Sequence, residues 1–137
     1  MNIMHFLTPK AQVEYMFKES TVRQGLEKMR YHGFSAIPVI DKEGKYVGTV
    51  TEGDFLWALY NNQHPSLKKL ENTPLTSIIR RSWTAVNAGA DMTEIMNTAT
   101  KQNFVPVVDD RDMFIGIITR KAIMQHLATI RTVLAEE

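Results

Sequence analysis

Gly48-Thr49-Val50-Thr51-Glu52-Gly53-Asp54 closes an apolar strand signal and opens an apolar helix signal, Phe55-Leu56-Trp57-Ala58-Leu59. A strand that turns through Thr and Gly into a helix presents free backbone N–H groups and the positive end of the helix dipole. Such an end can seat an anion such as a phosphate. Asp54 stands where the helix begins, able to cap it or to accept hydrogen bonds from hydroxyl groups. The stretch recurs as Gly116-Ile117-Ile118-Thr119-Arg120-Lys121-Ala122. At the same offset, Ile37-Pro38-Val39-Ile40-Asp41 matches Val105-Pro106-Val107-Val108-Asp109. The chain is an internal repeat.

Outward from these stretches the order of elements is the same in both copies. In the first, Val13 to Phe17 reads as a short strand, and Ser20 or Thr21 as an N-cap. A helix runs through Arg30 with Leu26 and Met29 facing a core, and Gly33 is its C-cap. Phe34 to Ile40 is a strand, Asp41 to Lys45 a hairpin turn, and Tyr46 to Val50 the returning strand. The following helix ends near Tyr60. In the second copy, Leu75 to Arg81 reads as a short helix, Trp83 to Val86 as a strand, and Asp91 as the cap of a helix to about Thr100. Phe104 to Val108 and Phe114 to Ile118 flank the turn Asp109 to Asp112, and a last helix starts near Lys121. The polar stretch between, with Pro65 and Pro74, reads as a linker with a helical turn near Leu67-Lys68-Lys69-Leu70. The expected organisation is residues 1–60 as lead-in and first motif, 61–74 as linker, and 75–137 as second motif and tail. The fold class is α/β (α+β): two β-α-β-β-α units in tandem. Three strands and two helices are too few to bury both faces of a sheet, so the units are expected to pack face to face with approximate twofold symmetry.

Composition excludes several classes. The net charge of +1 gives no overall field for nucleic acid or an anionic membrane. With no cysteine, disulfides, thiol catalysis and Cys-based zinc sites are excluded. No apolar run approaches the roughly 20 residues of a membrane span, and Met1 to Leu7 is too short for a signal peptide. The cytoplasm is the expected location. His5, His32, His64 and His126 are scattered, so no metal site is expected. Asp109, Asp110 and Asp112 read as turn formers, since the rest of a calcium loop is absent. No Ser-His-Asp arrangement, catalytic carboxylate pair or Walker-type loop is visible, and no enzyme is expected.

The doubled order, with its Pro-Val-(Val/Ile)-Asp strand and Gly-x-x-Thr turn given twice, resembles the cystathionine-β-synthase (CBS) domain pair, or Bateman module. The resemblance covers roughly Leu7 to Leu127. It implies a regulatory unit that binds adenosine-containing ligands in composite clefts and dimerises. One cleft would take Thr51, Gly53 and Asp54 from the first half and Arg81, Ser82, Asn103 and Phe104 from the second. The other would take Thr119, Arg120 and Lys121 from the second half and Gln12, Val13, Phe34, Ser35 and Ala36 from the first.

The copies differ in ways that bear on the ligand. The first cleft keeps the Asp that, in the family, accepts hydrogen bonds from both ribose hydroxyls. Its base side looks altered: Met29 to Pro38 spans nine steps and Ala99 to Pro106 seven, which reads as loss of any counterpart to the small Ser35-Ala36 pair. In the other cleft Ala122 replaces the Asp, and Arg120 and Lys121 stand at the helix start. That exchange favours phosphate over a free cis-diol. A cyclic dinucleotide has two phosphates and no cis-diol, and Thr-Arg-Lys is similar to the Thr-Arg-basic turn of cyclic di-AMP-binding CBS pairs of Gram-positive bacteria. The expected function is a stand-alone regulatory CBS pair that binds cyclic di-AMP, with no cofactor, as a homodimer signalling to an effector protein. The alternatives are an AMP/ADP/ATP sensor using Asp54 and a structural dimerisation module with empty clefts. The blander readings stay open residue by residue: Thr51 and Asp54 as caps, Ser35 as a backbone partner, Arg120-Lys121 as a solvated pair. Arg80-Arg81 fits a solvent face or dimer edge better than a ligand clamp.

Overall fold

The computed structural model describes residues 3–61, 67–80 and 83–136 of the chain. Arg81, Ser82, His64 and Pro65 lie outside the described residues. The strands are β1 (Thr8–Pro9), β2 (Met16–Phe17), β3 (Ala36–Ile40), β4 (Tyr46–Thr51), β5 (Val86–Asn87), β6 (Phe104–Val108) and β7 (Phe114–Thr119). The helices are α1 (Val22–His32), α2 (Glu52–Asn61), α3 (Leu67–Asn72), α4 (Met92–Ala99) and α5 (Arg120–Glu136). One sheet has the order β2-β3-β4, the other β1-β7-β6-β5.

Local chemistry sets the ends of these elements. Thr21 caps α1 with a capping box completed by Gln24, and Asp91 accepts from the Glu94 N–H at the start of α4. Gly33 ends α1 at φ 70°, where a Cβ would be strained. In the two hairpins Asp41 and Asp109 do the same work: each Oδ1 accepts two backbone N–H groups across its turn, at 2.8 to 3.0 Å. Asp109 is therefore a turn former, while Asp110 accepts from Asn87 Nδ2 at 3.0 Å. Pro38 and Pro106 sit just before the two residues at which β3 and β6 pair in parallel with β2 and β5. A residue without an N–H is tolerated where the parallel partner has not yet begun.

The chain divides into two compact units, Glu14–Trp83 and the discontinuous Met1–Val13 with Thr84–Glu137. Each repeat therefore receives the lead-in of the other. Leu75, fully buried, packs with Val22, Met29, Ile37, Val39, Val50 and Phe55 of the first repeat. Its segment is held there by Val22 N–H to Thr73 O and Leu75 N–H to Ser20 O, at 2.9 and 2.8 Å. Ile3 takes the matching place beside Ile95, Val105, Val107, Ile118 and Ile123 of the second repeat. Ile3–Phe6 and Leu75–Ile78 are both single 3₁₀ turns, so the helix expected over Leu75 to Arg81 is shorter and tighter than its apolar content suggests. Gly25 makes room for the swapped residue: a Cβ there would stand 2.8 Å from Leu75 Cδ1.

β1 is an addition that the repeat does not predict. It pairs antiparallel with β7, Thr8 opposite Ile117 and Pro9 opposite Gly116, and makes the second sheet four-stranded. The strands expected at Val13 to Phe17 and Trp83 to Val86 are shorter and begin later. Before Val86 the chain is held by a side chain instead. Gln102, 6% exposed, accepts the Thr84 N–H at 2.7 Å and donates to Thr84 O at 3.0 Å and Phe104 O at 3.1 Å. Gln102→Ala should lower unfolding free energy by about 1–3 kcal/mol, read by chemical denaturation, because it orphans groups in a tight seam. A change below about 0.5 kcal/mol would mean water replaces the amide.

Candidate functional site

The strand-to-helix turns at Thr51 and Thr119 have one geometry. Thr51 Oγ1 accepts the Asp54 N–H at 3.3 Å, and Thr119 Oγ1 accepts the Ala122 N–H at 3.1 Å. Both threonines are therefore N-caps. The register also matches: Ala36 pairs with Thr51 and Phe104 with Thr119. Glu52 N–H donates to Ser35 O, and Arg120 N–H to Asn103 O. Asn103 and Phe104 thus stand where Ser35 and Ala36 stand. The expected loss of any counterpart to the Ser35-Ala36 pair is not what the register shows. The helix is three residues shorter, 11 in α1 against 8 in α4, and the connection to the strand one residue longer, which together give the deficit of two. The start of the strand is intact but carries an amide and a ring in place of two small residues.

In the unit Glu14–Trp83, Asp54 is 3% exposed. Its Oδ2 accepts the Thr51 N–H at 2.8 Å, and its Oδ1 accepts the Arg80 N–H at 3.1 Å. The Arg80 guanidinium lies beside the same oxygen, Nε 3.5 Å away. A carboxylate this deep needs such partners. Thr51, Asp54, Arg80 and Trp83 line a cavity of about 430 Å³. This gathers the Asp54 turn with the segment that follows the 3₁₀ turn, as expected of Arg81 and Ser82, which lie outside the described residues. Arg80 and Trp83 are the residues that sequence reading passed over. Arg80 is drawn in from 26 positions away, which no local pattern announces. Its side chain is exposed, as a solvent-facing residue is expected to be, but it also pairs with the buried Asp54. Behind Trp83, the Tyr46 hydroxyl donates to Trp83 O at 3.2 Å and pairs with Thr49 Oγ1 at 2.7 Å. Burial raises the Tyr46 phenol above its ordinary value, the Thr49 hydrogen bond opposing. Phe34, Ser35 and Ala36 belong to this unit too, Ser35 exposed and Ala36 half-buried on β3.

In the other unit, the turn Lys10–Gln12 packs beside β7, so Gln12 and Val13 share a unit with Thr119, Arg120 and Lys121. Arg120 and Lys121 are exposed. Arg120 Nε donates to Ala99 O at 2.8 Å, and one terminal nitrogen to Asn103 Oδ1 at 3.1 Å. The physical reason is at the end of α4. Where α1 ends on Gly33, α4 ends on Thr100 in right-handed conformation, and the guanidinium supplies the donor for the last-turn carbonyl. Arg120 is thereby fixed in place with the rest of its five N–H donors uncommitted. Among the described residues no cluster of His, Asp and Glu could hold a metal ion, and no helix is long and apolar enough to cross a membrane.

Comparison with known proteins places these features in context. The profile of the CBS domain matches residues 8–61 and 75–129. The solved structure of CbpB in complex with c-di-AMP is 27% identical, with a TM-score of 0.89, covering 99% of this chain and 90% of that one. CbpB from Streptococcus agalactiae is 28% identical with a TM-score of 0.86, covering 97% and 84%. An uncharacterized protein of Methanocaldococcus jannaschii is 28% identical over 105 residues, 71% of this chain and 37% of that protein. The chain thus spans little more than a third of the length of that relative.

Proposed function

This chain belongs to the CBS-domain family, and we propose that it is a regulatory nucleotide-binding pair whose main effector is cyclic di-AMP. The observation that carries the reading is its likeness, along nearly the whole chain, to CbpB, which is solved with c-di-AMP bound. The local chemistry agrees. At Thr119-Arg120-Lys121 the ribose-gripping carboxylate is absent and an anchored guanidinium stands at the start of α5. A fork-shaped cation beside a helix N-terminus suits phosphate oxygens. In this reading Gln12 and Val13, in the same unit, flank the base. The cavity at Asp54, with Gly53 beside it, supports a second, weaker site for an adenosine ligand with free hydroxyls. The chain acts by binding and not by catalysis, in the cytoplasm, as a homodimer whose surface an effector protein reads. For that coupling the ligand must prefer one conformation of the pair.

Calorimetric titration with cyclic di-AMP, AMP and ATP tests the reading. Cyclic di-AMP is expected to bind most tightly, and at about 100 times Kd it should add roughly 2.7 kcal/mol of stability in a melt. Tight binding of AMP or ATP with none of cyclic di-AMP would remove the reading. No response to any adenine nucleotide would leave the dimerisation module in its place.

A further inference from the structure

Asp54 and Arg80 form a pair whose second member has unspent capacity. The Arg80 main chain already serves Asp54 through its N–H at 3.1 Å. The side chain adds charge but no hydrogen bond, since Nε stands 3.5 Å from Oδ1. Two other residues hold the guanidinium in this place. Its central carbon lies 5.4 Å from the Trp57 ring centre, a cation–π distance. One terminal nitrogen would be 3.1 Å from a Cβ at position 53, so Gly53 leaves space for the guanidinium. The terminal N–H groups have no hydrogen-bond partner among the described residues. A half-exposed fork whose terminal donors have no partner among the described residues thus lines a cavity of about 430 Å³ that it shares with Thr51, Asp54 and Trp83.

Charge decides what such a cavity accepts. Asp54 alone would make it negative, favourable to hydroxyls and cations and repulsive to phosphate. Arg80 cancels that charge and stands beside the first turn of α2, where the dipole adds positive potential. We propose that Arg80 is the specificity-determining residue of the Asp54 cavity, making it select a nucleoside that carries a phosphate over the same nucleoside without one. The inference rests on the reading of the chain as an adenine-nucleotide binder, with Asp54 taking hydroxyls and the guanidinium taking phosphate oxygens.

The test titrates AMP and adenosine into the whole chain and its Arg80→Gln, Arg80→Lys and Asp54→Asn variants. Arg80→Gln retains the backbone N–H to Asp54 and removes the charge, and with it the cation–π contact with Trp57. It is expected to weaken AMP roughly 10- to 100-fold and to leave adenosine within about threefold. Arg80→Lys should recover part of the AMP affinity, because it restores charge without the fork. Asp54→Asn should weaken both ligands, which locates the signal in this cavity. The inference is overturned if AMP and adenosine weaken together, if AMP tightens, or if the native chain binds the two equally or binds neither. Cyclic di-AMP, titrated in parallel, separates the two ideas. If it still binds while Arg80→Gln leaves the AMP-to-adenosine ratio unchanged, only the role of Arg80 fails.

Discussion

Arg120→Ala is expected to weaken cyclic di-AMP binding by about 100-fold or more. Charge-assisted hydrogen bonds contribute roughly 1.5–3 kcal/mol each, and a guanidinium on a phosphate makes two in parallel. The magnitude is large because Arg120 is preset: bonds to Ala99 O and Asn103 Oδ1 fix its plane before any ligand arrives. A fixed side chain loses little entropy on binding. The same bonds mean that the substitution also uncaps α4, so a melting curve must accompany each titration. Loss of the cap should cost about 0.5–2 kcal/mol of stability, too little to unfold a typical domain. Arg120→Lys separates the effects, since it retains charge but cannot fork. Asn103→Ala should weaken binding to a smaller degree, through the freed guanidinium. If Arg120→Ala binds cyclic di-AMP as the native chain does, the phosphate role is wrong and the helix-capping role alone is left.

Gly116→Ala is expected to be the most destabilising single-methyl change in the chain, by about 3 kcal/mol or more. A Cβ at Gly116 would lie 2.2 Å from the Thr8 carbonyl oxygen, well inside contact distance, and 3.1 Å from Pro9 Cα. Both are backbone atoms, so no rotamer change relieves the clash. The φ of 154° adds strain for any L side chain. Either β7 distorts or β1 leaves it. If β1 leaves, Leu7 and the buried Ile3 are pulled from the second core with it. Denaturation gives the magnitude, and hydrogen exchange at Ile117 and its neighbours shows whether β1 has detached. An unchanged melting temperature would mean that β1 contributes nothing to stability.

Much of this architecture is written in short-range pattern. The duplicated Pro-containing strand and the glycine-threonine turn fixed the order of elements, because strand, hairpin and cap chemistry act within a few residues. Gly33 and Asp91 were legible as caps, with Ser20 or Thr21 before α1, and Asp41 and Asp109 as turn residues, for that reason; the structure selects Thr21. What escaped was long-range. An apolar segment such as Leu75–Ile78 shows that it will be buried but not in which repeat. β1 is two residues long and carries no alternation to detect. The two-residue deficit in the second copy was visible, yet only strand register could locate it in the helix rather than at Asn103 and Phe104. Arg80 meets Asp54 across 26 positions, and the neighbouring Arg81 disguised it as part of a surface pair.

The traded lead-ins have a consequence for how the molecule comes apart. Ile3 is a cork in one barrel of hydrophobic side chains and Leu75 is the cork in the other, each delivered by the opposite half of the gene. Severing the chain near the linker should therefore yield two insoluble or molten fragments that recover structure only when mixed.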